Sequence, residues 1–131
     1  SMAQSIAVIA RVAPWVKLYH EHQQMQLTVT PADVERGYVE VSAASRFTVA
    51  TNNPAGYILD FQPRSAIFRS VAINGPGVNA EISPGGGSVI QAGGGGAVAR
   101  TQVELSYRFY LAEGVQAGSY LWPLLVSVSL R

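Results

Sequence analysis

The chain has 131 residues, about one domain's worth. Charged side chains make up only 13% of it, about half the usual share, and nine basic against eight acidic residues leave a net charge of +1. That balance excludes the basic surface a phosphate backbone requires, and an apolar content of 48% excludes disorder. With no cysteine there is no disulfide framework, thiolate metal site or thiol nucleophile. No apolar run is long enough for a membrane-spanning helix, so neither nucleic acid nor a membrane span is expected.

Ser1-Met2 reads as a cloning remnant, and Ala3-Gln4-Ser5 is what signal peptidase leaves, which predicts export. Ile6, Val8, Ala10 and Val12 then alternate with Ala7, Ile9 and Arg11 as a β-prone arm. His20-Glu21-His22 reads as a polar connection. Met25, Leu27 and Val29 alternate in a strand; Pro31 to Arg36, with Thr30 as its cap, is the one stretch suited to a helical turn. Further period-two runs follow. They are Val39 and Val41; Phe47 and Val49; Tyr57, Leu59 and Phe61; Phe68, Val71 and Ile73; Val103 to Leu111; and Tyr120 to Leu130. Asn52 to Gly56 and Asn74 to Gly77 are turns between them. Pro84 to Gly96 is Gly-rich, brackets the short apolar piece Ser88-Val89-Ile90, and predicts a mobile hairpin or bulged edge. The pattern predicts one domain, with an arm and first strand over 1–22 and a sandwich over 23–131. Its class is all-β: an immunoglobulin-like antiparallel β-sandwich with an incomplete sheet edge.

Groups suited to catalysis are sparse. Gly94 to Ala99 matches a dinucleotide fingerprint, but the residues after it alternate as a strand, whereas that motif must open a helix. His20 and His22 can share one face of a strand, but no third metal ligand is near. Asp60, pointing away from the core, has no nucleophile to complete a catalytic set with either histidine. No catalytic residue, metal or cofactor is expected. Trp15, Trp122 and six tyrosines offer an aromatic face for a glycan, although aromatics on strands more often form the core.

The alternation reaches Leu130 with no later segment in the sequence to pair with it, while the arm is a spare strand. Together they are the ingredients of strand donation. Tyr107-Arg108-Phe109-Tyr110-Leu111, then Ala117-Gly118-Ser119-Tyr120 leading into Pro123 to Leu130, resembles the chaperone–usher pilin family. The likeness covers mainly the last ~30 residues and the strand layout. It implies a sandwich lacking its seventh strand, completed first by a periplasmic chaperone and then by a neighbouring subunit's arm. Carried over, Ile6, Val8, Ala10 and Val12 are the donor residues. Trp122, Leu124, Val126, Val128 and Leu130 line the acceptor edge. The resemblance implies a structural fimbrial subunit in the periplasm, the fimbrium or on the extracellular surface. Two features depart from the family pattern, the missing cysteines and a final Ser129-Leu130-Arg131 without the penultimate aromatic. They leave open a secreted stand-alone binding module for a glycan, host-surface or protein ligand.

Overall fold

The computed structural model describes residues 12–94 and 97–131. Its strands are β1 (Val16–Gln23), β2 (Gln26–Val29), β3 (Tyr38–Thr51), β4 (Tyr57–Pro63), β5 (Phe68–Gly75), β6 (Val78–Ile82), β7 (Gly87–Gln91), β8 (Ala99–Leu111), β9 (Gly118–Leu121) and β10 (Leu124–Leu130), with one helical turn, α1 (Pro31–Arg36). They form a five-stranded sheet in the order β1-β3-β8-β5-β6, a three-stranded sheet β10-β4-β7 and a two-stranded ribbon β2-β9. Every pairing is antiparallel. The all-β sandwich expected from the alternation is the observed architecture.

The two larger sheets bury their inward rows against each other. Phe47, Val103, Leu105 and Phe109 come from one sheet, Leu59, Phe61 and Leu124 from the other. An aromatic cluster stands at the centre. Tyr107 and Phe109 stack at 5.7 Å, and Trp122 meets them edge-on at 5.1 and 5.2 Å. Such offset and edge contacts add to the area these rings bury.

α1 forms where expected. The Thr30 side chain accepts from the Asp33 N–H at 3.1 Å while the Asp33 carboxylate accepts from the Thr30 N–H at 2.9 Å, a reciprocal capping box. Burial alone would push the Asp33 carboxyl up, but the bonds to Thr30 and the Arg36 guanidinium outweigh it and hold the group below its ordinary value.

Several expectations need correction. His20 to His22 is no polar connection: it lies within β1, which pairs with β3. A register shift between His20 and His22 inserts Glu21 as an extra residue, and the carboxylate of Glu21 accepts from Thr48 at 2.5 Å and Gln102 at 2.9 Å. Met25 is 72% exposed and lies outside any strand. Val39 to Val49 is one continuous strand rather than two. The last alternating run is broken at Trp122-Pro123 into β9 and β10, because Pro123 has no N–H for the ladder. For Pro84 to Gly96, expected as a mobile hairpin or bulged edge, β7 is an edge strand, in unbroken register with β4 from Tyr57↔Gln91 to Phe61↔Gly87.

Candidate functional site

A sandwich of two open sheets has two sides where edges face each other. On one side β6 meets β7, tightly enough that a Cβ at Gly87 would lie 2.7 Å from Ile82 Cδ1. On the other, β1 faces β10. Among the described residues the backbone ladder of β10 pairs only with β4, and that of β1 only with β3. β1 and β10 also lie close together, but they share no backbone ladder.

The geometry of this side follows from the turn at 52–56. Val16 opens β1 opposite Thr51, the last residue of β3, while Leu130 closes β10 opposite Tyr57, the first residue of β4. The start of β1 and the end of β10 therefore flank the same five-residue turn, and the two strands run antiparallel across the gap. The backbone approaching β1 is pinned there: Trp15 N–H donates to Asn52 Oδ1 at 2.7 Å, and Asn52 Nδ2 donates to the Ala13 carbonyl at 3.0 Å.

Core-facing residues along β10 lose cover step by step. Leu124 is 2% exposed and Val126 9%, Val128 is half-buried, and Leu130 is 40% exposed. Across the gap the inward residues of β1, Val16 and Leu18, are likewise only half-buried against the core. Inward apolar residues on both edges are thus incompletely covered along one line. At the other end the gap widens into a groove of about 350 Å³, lined by His20, Gln23, Met25, Arg64, Leu121, Trp122, Leu124 and Leu125 among others.

Of the residues expected at an acceptor edge, Leu124, Val126, Val128 and Leu130 lie on β10; the first three pack into or against the core, and Leu130 is exposed. Trp122 precedes the strand, and its N–H donates to the Met25 carbonyl at 2.9 Å instead of joining the edge ladder. Its ring is buried, and its Nε1–H has no hydrogen-bond partner. Trp122 and Trp15 therefore share no open aromatic face. Of the donor residues, Ile6, Val8 and Ala10 lie outside the described residues, and Val12 is 79% exposed. Across from β10, Val16 and Leu18 of β1 alternate with exposed Lys17 and Tyr19.

The candidate catalytic groups are otherwise engaged. Asp60 stands on β4 and accepts from Ser88 and Ser129, both at 2.8 Å, knitting the three strands of its sheet. His20 lies edge-on to Phe47 at 6.5 Å. Among the described residues no three His, Asp or Glu side chains converge on one point as metal ligands. Ala99 opens β8, a strand, where a dinucleotide fingerprint would need a helix. Tyr107, sealed in the core, has its hydroxyl pushed up to about 12 by burial, partly offset by its 2.6 Å bond with Ser45.

Comparison with protein-family models, curated proteins and solved structures returns no match.

Proposed function

We propose that this chain is an exported structural subunit that assembles by β-strand donation, residues 4–12 of one copy pairing with the unladdered edge of β10 or β1 in the next. The observation that carries this reading is the progressive exposure of the core-facing row of β10, matched by half-buried Val16 and Leu18 across the gap. A strand paired with the free backbone edge can lay its alternate side chains over the incompletely covered row beside it. The arm has the required pattern, with Ile6, Val8, Ala10 and Val12 two residues apart. Its root at Ala13 is held beside the turn at 52–56, at the end where Leu130 is most exposed. An immunoglobulin-like strand layout, a fimbrial setting and a periplasmic chaperone that covers the edge before assembly accompany this reading through the family resemblance. A self-paired arm is the competing arrangement.

The test is assembly of the full chain. Sedimentation of purified protein is expected to give concentration-dependent oligomers that a synthetic peptide of residues 4–12 dissociates into capped monomers. Each buried aliphatic side chain is worth roughly 1.5–3 kcal/mol, so Ile6→Asp or Val8→Asp should block assembly while leaving the sandwich able to bind the peptide. Arg11, on the opposite face of the arm, should tolerate change. A full chain that stays monomeric at high concentration and ignores the peptide overturns the proposal.

A further inference from the structure

The outer face of the five-stranded sheet carries a second depression, of about 410 Å³, on the opposite side of that sheet from the core. It arises from a missing side chain and a bulge. In register across the sheet stand Glu40, Arg108, Ala72 and Glu81, so small Ala72 lies between two long polar neighbours. Along its own strand Ala72 is followed on the same face by Asn74. Adjacent strands are ~4.8 Å apart, and same-face residues on one strand ~6.8 Å apart, so a trough at Ala72 is walled by polar groups at that spacing.

Beside it β3 bulges. Val41 pairs with Tyr107 and Ser45 with Leu105, so Ser42, Ala43 and Ala44 oppose the single residue Ser106. Ala43 takes φ 50°, a left-handed conformation unusual for a residue with a Cβ, and its N–H donates to Ser106 Oγ at 3.0 Å. Bulges of this kind re-aim side chains beside binding sites, and strained residues concentrate there. Here the bulge brings Ser42 and Ser106 to the rim of the trough.

The charge around this trough is asymmetric. Arg36 and Arg108 lie over the Tyr38 ring at 4.9 and 4.7 Å, and Arg69 lies over Tyr110 at 5.3 Å. Asp33 pairs with Arg36 and Glu40 with Arg108, while Arg69 has no carboxylate partner among the described residues. A guanidinium stacked on a ring loses little freedom when it binds a planar carboxylate. The trough is thus lined by the Ser42 and Ser106 hydroxyls, the Asn74 amide and the Arg108–Glu40 pair, with Arg69 just outside it, stacked on the lining residue Tyr110.

We infer that this face binds an acidic saccharide, its hydroxyls engaging Ser42, Asn74, Ser106 and Glu40 and its carboxylate engaging Arg69 and Arg108. A peptide strand is a poorer fit, because the sheet offers it no free backbone edge here. The inference is independent of strand donation, which uses the β1–β10 side.

The experiment is an NMR titration of the isotope-labelled full chain with an oligogalacturonate, a neutral maltooligosaccharide of equal length and an oligoglutamate peptide as separate probes. Saturable shifts centred on Ser42 to Ala44 and Ser106 are expected with the oligogalacturonate alone, weakening as salt is raised. Arg69→Gln, which breaks no ion pair, should weaken binding about tenfold, the scale of one charge-assisted hydrogen bond. Ala72→Trp, a residue well suited to an exposed strand, should abolish binding by filling the trough while the far-UV spectrum is retained. No saturable shift with oligogalacturonate overturns the inference. So does equal binding of the neutral sugar, stronger binding of the peptide, or unchanged affinity in both variants.

Discussion

Gly56 closes the turn between β3 and β4, and replacing it with alanine separates two physical costs. Its φ is +91°, where an L-residue pays about 1–2 kcal/mol. A Cβ there would also lie 1.9 Å from the Gln91 carbonyl oxygen and 2.9 Å from the Gly93 nitrogen. Both atoms are backbone, so the chain leaving β7 has to move away. That displacement strains the Tyr57↔Gln91 rung, the first pair of the β4–β7 ladder, and overpacking of this kind costs about 1–3 kcal/mol. The sum is about 2–5 kcal/mol, a large part of the 5–15 kcal/mol that holds an average domain together. Gly37, the C-cap of α1, is the control. Its φ is +89°, yet a Cβ there meets nothing within 4 Å, so Gly37→Ala should cost only about 1–2 kcal/mol. Urea unfolding of both variants, followed by tryptophan fluorescence, should show a clearly lower midpoint for Gly56→Ala. Because Leu130 pairs with Tyr57, hydrogen exchange at the end of β10 should also rise in that variant alone. Equal midpoints for the two variants would refute the steric argument and leave only the left-handed backbone.

Tyr107 makes the fold sensitive to alkali. Its pKa is raised to about 12 in the folded state from about 10 unfolded, so stability is fully present below about pH 10 and drains away between about pH 10 and 12. The loss should approach about 3 kcal/mol in equilibrium unfolding, and Tyr107→Phe should flatten that limb. Asp33 works in the opposite sense: its pKa is lowered, so its contribution is present above the ordinary carboxylate value and is lost as pH falls through the folded one. Asp33→Ala should cost about 1–2 kcal/mol at neutral pH, the difference from the parent shrinking in acid, as thermal melts across pH will show. Phe47→Ala, fully buried between the sheets, should cost about 3–5 kcal/mol by denaturant titration. His20→Ala, His22→Ala and Asp60→Ala should leave the fold largely intact by circular dichroism; a substrate screen in which any one abolishes turnover would contradict the expectation that none of the three is catalytic.

How visible the fold is in the sequence depends on how each irregularity affects the two-residue period. One extra residue in β5, between Phe68 and Ser70, moves the inward row from Phe68 to Val71, and that three-residue step is plain in the sequence. The bulge in β3 adds two residues opposite Ser106, which restores the same face afterwards. Val41 and Phe47 therefore keep their parity, and the feature that shapes the outer trough leaves no trace in the pattern. β1 was hidden for a different reason. Of its eight residues only Val16, Leu18 and Gln23 are even half-buried, because it is an edge strand. Its alternation is confined to Val16 to Tyr19 and gives way to the exposed polar run His20 to His22, where the bulge at Glu21 also breaks the period.

Local chemistry settled a good deal. Thr30 and Asp33 determine the helical turn through bonds only three residues long, and Val103 to Leu111 could bury a single face only as a strand. Pro76-Gly77, with Gly77 at φ 73°, could only be the tight turn that pairs Gly75 with Val78. The all-β class and most of the core-facing residues follow from these short-range constraints. Which edges stay unpaired did not follow from them. β10 lies beside β4, more than sixty residues earlier in the chain, and only that pairing, together with β1 pairing β3, leaves the two edges facing each other without a shared ladder. Trp122 shows the same division: period two placed it on the edge strand, whereas Pro123 breaks the ladder and the ring turns onto Tyr107 and Phe109. Periodicity records which face of a strand meets the core, because burial acts on each side chain in turn. It carries no record of the neighbour across the ladder, because every backbone offers the same N–H and C=O groups and the choice among them is made by the packing of the whole sandwich.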